Sequence, residues 1–218
     1  MKALLIKDFK LLKNQKTFFA TFGLLGIVFI LVFDDPTFSI FYMTIALSSF
    51  VQSTIAYDNY NDGAAYLFSL PVNRREYVRE KYIYNFIMTG SAILFTGVLS
   101  GIVLHIRQRG IPGGYILTCM IAAFVIANIS NALTIPIDLK FKPDKIRFCS
   151  MLVWGLLVVL GLLFTFICDK IGVNMYDLIG KLFTDYRVQM LLAAGVVMVG
   201  VMLLSYLCSV RIMERKEF

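Results

Sequence analysis

His105 is the only histidine of this chain, and it stands near the end of a long apolar run. A divalent ion needs three or four protein donors, so one histidine without clustered partners cannot assemble a metal hydrolase. The four cysteines, Cys119, Cys149, Cys168 and Cys208, have neither CxxC nor other metal-ligand spacing. All fourteen Asp and Glu residues fall in loops or at the borders of apolar runs, which leaves no internal carboxylate pair for acid–base work. Serines occur within the runs, yet no histidine or lysine is placed there to activate one. Gly113-Gly114 is not followed by Lys-Ser or Lys-Thr, so the chain lacks the loop that cradles a nucleotide phosphate. The polar residues inside the runs are uncharged: Gln52, Asn85, Asn128, Ser130 and Asn131. Ion-coupled pumps usually mark their pathway with buried ionisable groups, so a secondary transporter is disfavoured. Asn128 and Asn131, three apart, share a helical face. Hydrogen-bonded glue between helices is the stronger reading for them; a translocation path lined by Gln52, Asn85, Asn128 and Asn131 is the other.

The elements that must position these residues are membrane helices. Of the 218 residues 59% are hydrophobic and 16% charged, with a mean hydropathy of +0.77, against about 25% charged in a soluble domain. The apolar content falls into blocks near the ~20 residues that cross a bilayer as a helix. They lack the alternation of a β-barrel. Six spans are expected, at Thr17–Phe33, Phe38–Tyr57, Tyr82–Ile106, Gly114–Ile137, Met151–Cys168 and Val188–Val210. The fold class is therefore an all-α membrane protein, with residues 1–218 forming one transmembrane domain. Sixteen of the 21 Lys and Arg fall on the side that holds both termini, which predicts cytoplasmic termini by the positive-inside rule. The net charge of +7 reflects this topology and attraction to anionic lipid, and implies no nucleic acid.

The first sixteen residues are amphipathic, with Leu4, Leu5, Asp8, Leu11 and Leu12 on one side and five interleaved lysines. This pattern suits a helix lying in the membrane interface. No small-residue cleavage site follows, so an uncleaved N-terminus is expected. Pro36, after Asp34-Asp35, is placed to start the second span. The segment from Asp169 to Arg187 is half apolar and reads equally as short helices dipping toward the bilayer or as a surface loop. Gly97 and Gly101 form a GxxxG pair, a pattern common by chance and a weak signal for a dimer interface.

Tyr57 to Lys81 is the one polar segment built to be grasped by a soluble partner. Asp58 and Asp62 precede Gly63; Ala64 to Leu70 form a short helical stretch; Pro71 ends it. Asn73 is placed to cap the third span, with Glu76 at capping-box spacing. Ala64, Ala65, Leu67, Phe68 and Leu70 would make an exposed apolar patch unless a partner, the membrane or the chain's own helices cover it.

Asp62-Gly63, the helical stretch after it, the Ser69-Leu-Pro-Val-Asn-Arg74 run and Arg79-Glu-Lys-Tyr82 resemble the permease subunits of type-2 ATP-binding-cassette exporters. Asp58 stands where glutamate is commoner in that family. The layout resembles theirs over the whole chain: an interfacial N-terminal helix, six spans and a short cytoplasmic coupling helix between the second and third. The chain is similar as well to small bacterial permeases that export amphipathic peptides, such as the phenol-soluble-modulin exporters. The resemblance implies a half-transporter in the bacterial cytoplasmic membrane, paired with a second permease as a homodimer or heterodimer. It implies no cofactor in this chain, with ATP and Mg bound by a separate nucleotide-binding ATPase subunit. The residues it assigns to ATPase coupling are Asp58, Asp62, Gly63, Ala64, Leu67, Phe68, Leu70, Pro71 and Arg74. The cargo would be an amphipathic peptide or a lipophilic compound. A membrane immunity or sensor-partner protein that transports nothing is the rival reading.

Overall fold

A computed structural model describes residues 2–33, 35–60, 63–107, 113–141 and 187–216, with scattered helical positions between 148 and 170. Every regular element among them is a helix. In chain order these are α1 (Lys2–Asn14), α2 (Lys16–Val32), α3 (Thr37–Ser48), α4 (Phe50–Asn59), α5 (Gly63–Ser69), α6 (Arg74–Ile106), α7 (Gly113–Lys140) and α8 (Arg187–Arg215).

Among the described residues, four segments are long and apolar enough to cross a membrane: Thr37–Asn59, Arg74–Ile106, Gly113–Lys140 and Val188–Arg215. A fifth is reached if α1 and α2, which meet at a 66° bend, count as one broken span. The expected span at Met151–Cys168 and the segment 169–187 lie outside the described residues, apart from those scattered positions.

The second span is continuous through α3 and α4 but tightens at their junction. Ser48 Oγ donates to Ile45 O (3.0 Å), Ser49 Oγ to Ala46 O (2.8 Å) and Thr54 Oγ1 to Val51 O (2.8 Å). Such bonds back to the preceding turn compete with the helical ladder and bend it. Pro36 does precede this span, and Asp35 Oδ1 caps it by accepting from Thr37 N–H at 2.9 Å. Tyr115 of α7 donates to the other Asp35 oxygen (3.0 Å). Burial alone would raise the Asp35 carboxyl, but the hydrogen bonds from Thr37 and Tyr115 outweigh it and hold the group below its ordinary range.

In a bilayer, helices associate by close packing and by hydrogen bonds, since lipid tails are as apolar as leucine. Both devices are present. A Cβ at Gly26 would sit 1.7 Å from Met43 Sδ, so glycine is what lets α2 meet α3; Ser39 Oγ donates to the Gly26 carbonyl at 3.0 Å. A Cβ at Gly97 would lie 2.4 Å from Met120 Cε, while Gly101 faces open space. The GxxxG pair thus serves α6–α7 packing through its first glycine.

Pro136 lies inside α7. It has no N–H to give to the carbonyl one turn back, that of Ala132. Ser205 Oγ of α8 takes that carbonyl, and Tyr82 Oη of α6 shares hydrogen bonds with Ser205 Oγ (2.5 Å) and Ser209 Oγ (2.9 Å). A chain of hydroxyls therefore binds α6, α8 and α7 around the proline.

Candidate functional site

The site is assembled at the end of the helices where α1, α5 and the last turn of α8 meet the first turns of α6. α6 runs 33 residues, about 50 Å at 1.5 Å per residue. That exceeds the ~30 Å hydrocarbon core. Its leading turns, from Arg74 to Lys81, stand ahead of the apolar run that begins at Tyr82.

Asn73 caps α6 as its sequence spacing predicts: the backbone is extended there (φ −77°, ψ 134°) and Oδ1 accepts from Arg75 N–H at 3.1 Å. Arg74 reaches α8, its Nη1 donating to the carbonyls of Met213 (3.1 Å) and Glu214 (2.9 Å). Those carbonyls belong to the last turn of α8, where the helical ladder runs out; Met213 O otherwise has only a long bond from Lys216 N–H at 3.4 Å. Arg75 Nε adds an ion pair with Glu214 Oε1 at 2.6 Å.

Behind this strap lies a buried ionic cluster. Lys81 Nζ is 2.5 Å from Asp8 Oδ2, 3.0 Å from Asp58 Oδ2 and 3.1 Å from Thr54 Oγ1. An ammonium has three protons to donate, and these three acceptors use them. Lys7 pairs with Asp58, and Tyr77 Oη donates to Asp58 Oδ2 at 2.9 Å. Glu80 Oε2 is 3.8 Å from Lys81 Nζ. The side chains of Asp8, Glu80 and Lys81 are all 0% exposed. One cluster therefore joins α1, α4 and α6.

The sequence-based placement of acids in loops or at borders is corrected here. Glu80 and Asp138 are buried within long helices and Asp8 is buried as well, while the Asp58 side chain is 9% exposed. Helix geometry is the reason: α6 and α7 continue past the apolar runs, so border residues become packed helix. Lys81, read as a topology charge, is the hub. The legible signal was Asp8, an acid among the leucines of the α1 apolar stripe.

The cluster positions α5. Asp58 precedes it by less than two turns, and a Cβ at Gly63 would lie 2.9 Å from the Asp58 carbonyl oxygen. The backbone there passes too closely for another residue. On α5, Ala64 is buried, while Leu67 and Phe68 are half-buried against the chain's own core. Phe68 meets Tyr77 edge-on, with ring centroids 5.5 Å apart. Leu67 and Phe68 thus face inward, and the outward residues are Ala65, Tyr66, Ser69, Leu70 and Pro71. Tyr66 is 72% exposed and Leu70 45%. Tyr57 and Tyr60, just before α5, are exposed too. Asp62 lies outside the described residues.

The four candidate path residues are satisfied inside the chain. Asn85 donates to Asn128 Oδ1 (3.0 Å) and its own Oδ1 accepts from Asn131 (2.6 Å). Gln52 donates to Thr134 Oγ1 at 2.8 Å. Asn85, Asn128 and Asn131 are buried and bridge α6 and α7.

A helical membrane bundle with a short apolar helix packed against it, next to a buried charge cluster, is the architecture of a membrane-spanning subunit. The family model described as ABC-2 family transporter protein matches residues 3–214. The chain belongs to that family, and is a multi-pass membrane permease subunit of the ATP-binding-cassette type. Neither the search of curated proteins nor that of solved structures found a match.

Proposed function

We propose that the chain is the membrane subunit of an ATP-driven exporter whose hydrolysis occurs on a separate nucleotide-binding subunit. Six spans cross the cytoplasmic membrane, α1 lies in the interface, and α5 is the coupling helix. The observation that carries this reading is α5 itself. Its inner face, Ala64, Leu67 and Phe68, is packed on the core, while Tyr66 and Leu70 stand outward. A lone helix of seven residues is too short to be stable, so its order comes from that packing. Aromatic side chains on a rigid support are typical anchors for a protein partner.

Asp58 and Gly63 then set where α5 sits, and Arg74 ties its exit to α8. A push on α5 reaches α6 through Phe68–Tyr77 and α1 through Asp58–Lys7. With Gln52, Asn85, Asn128 and Asn131 engaged in hydrogen bonds, the described spans offer a transported molecule mainly apolar surface. Amphipathic peptides or lipophilic compounds suit such a surface, which would form between this subunit and a second permease.

Capturing the full chain from its native membrane, with identification of what accompanies it, tests this proposal. A stoichiometric ATPase subunit bearing a Walker A motif is expected. A stoichiometric toxin or kinase with no ATPase would instead establish the immunity or sensor-partner reading.

A further inference from the structure

An apolar groove of about 410 Å³ runs between α6 and α8, floored by Ile83, Phe86, Val199, Met202 and Leu203 with Arg79 at its mouth. Arg79 is exposed and has no hydrogen bond or ion pair among the described residues. Its neighbours differ: Arg75 is paired with Glu214, and Arg74 caps α8. A larger groove of about 480 Å³, between α1, α2, α3 and α6, has no charged residue in its lining.

We propose that the α6–α8 groove is a binding site for one anionic phospholipid, its phosphate on Arg79 and one acyl chain along the groove. Three observations support this occupant. Arg79 precedes the apolar run by less than one turn, which places its guanidinium at headgroup level, where arginine and lysine concentrate. From Arg79 to Ile87 the α6 wall extends about 12 Å, close to the ~15 Å depth of one leaflet's hydrocarbon. The guanidinium is a planar donor fork matched to phosphate oxygens, and below it the wall is apolar. Tyr82 does not compete for the headgroup, because its hydroxyl is engaged by Ser205 and Ser209. The site is independent of the transport reading.

The test uses the full chain, delipidated in an uncharged detergent, with dioleoyl phosphatidylglycerol, dioleoyl phosphatidylcholine or glycerol phosphate added. Native mass spectrometry and the thermal midpoint are the readouts. Phosphatidylglycerol should be retained about tenfold more strongly than phosphatidylcholine: both offer a phosphate to the guanidinium, but the choline ammonium sets a like charge beside Arg79. Glycerol phosphate should leave the midpoint unchanged. Arg79→Gln, at an exposed position, should erase the preference between the two lipids; Val199→Trp should fill the groove and reduce retention of both. Equal retention of the two lipids by the unaltered chain, or a preference that survives Arg79→Gln, would overturn the proposal. So would equal protection by glycerol phosphate, or a photo-crosslinker at Val199 that captures a polypeptide in place of lipid.

Discussion

Lys81 Nζ lies 2.5 Å from Asp8 Oδ2, across 73 residues of chain, with both side chains wholly buried. This contact fastens the N-terminal helix to the first turns of α6. Three acids (Asp8, Asp58, Glu80) and two lysines (Lys7, Lys81) make up the cluster. Its charge balance determines which substitutions it tolerates.

Lys81→Met removes the hub and leaves three carboxylates facing Lys7 alone. Leaving buried charges uncompensated costs about 3–5 kcal/mol, so a large fall in the thermal midpoint is expected. Asp8→Asn instead leaves two acids and two lysines, and its cost should be much the smaller. Thermal unfolding of the two variants in one detergent checks the order, which a mere count of lost contacts would not give.

Ser205→Ala should orphan the Ala132 carbonyl and destabilise the chain by about 1 kcal/mol, the usual range for a lost interhelical hydrogen bond in a membrane. Pro136→Ala supplies an N–H to that same carbonyl. The double variant should therefore recover part of the loss, and a double-mutant cycle should show coupling between the sites. Strict additivity would mean that Ser205 acts some other way.

Asn85→Leu breaks the bonds to Asn128 and Asn131. With each interhelical bond worth about 0.6 kcal/mol on average, a loss of about 1–2 kcal/mol is expected. Glue predicts lower stability at an unchanged choice of cargo. A shifted cargo preference at full stability would favour the path reading for these asparagines.

Much of this architecture is legible in the sequence, for stated reasons. Long apolar runs announce the helices, and Asn73 and Pro36 mark starts that the structure reproduces at Arg74 and Thr37. Helix ends were less legible, because α6 and α7 extend through polar residues that other helices cover. The ionic cluster depends on Asp8, Asp58 and Lys81 meeting from three elements, and no local pattern encodes that meeting. The orientation of α5 was hidden for a similar reason. A half-apolar helix does not say which apolar residues turn inward, and Tyr77, the partner that draws Phe68 in, lies on the next helix. Ser205 likewise gains its role only from Pro136 on another helix.

The direct test of the coupling account is the affinity of the purified permease for its ATPase subunit, compared between Tyr66→Asp and Leu67→Asp, with the thermal midpoint measured alongside. The account predicts that Tyr66→Asp loses ATPase binding and stimulated hydrolysis at an unchanged midpoint, because Tyr66 faces outward. Leu67→Asp should lower the midpoint, because Leu67 packs on the core. Full ATPase binding and coupled hydrolysis in a folded Tyr66→Asp variant would contradict the claim that the outer face of α5 is the docking surface.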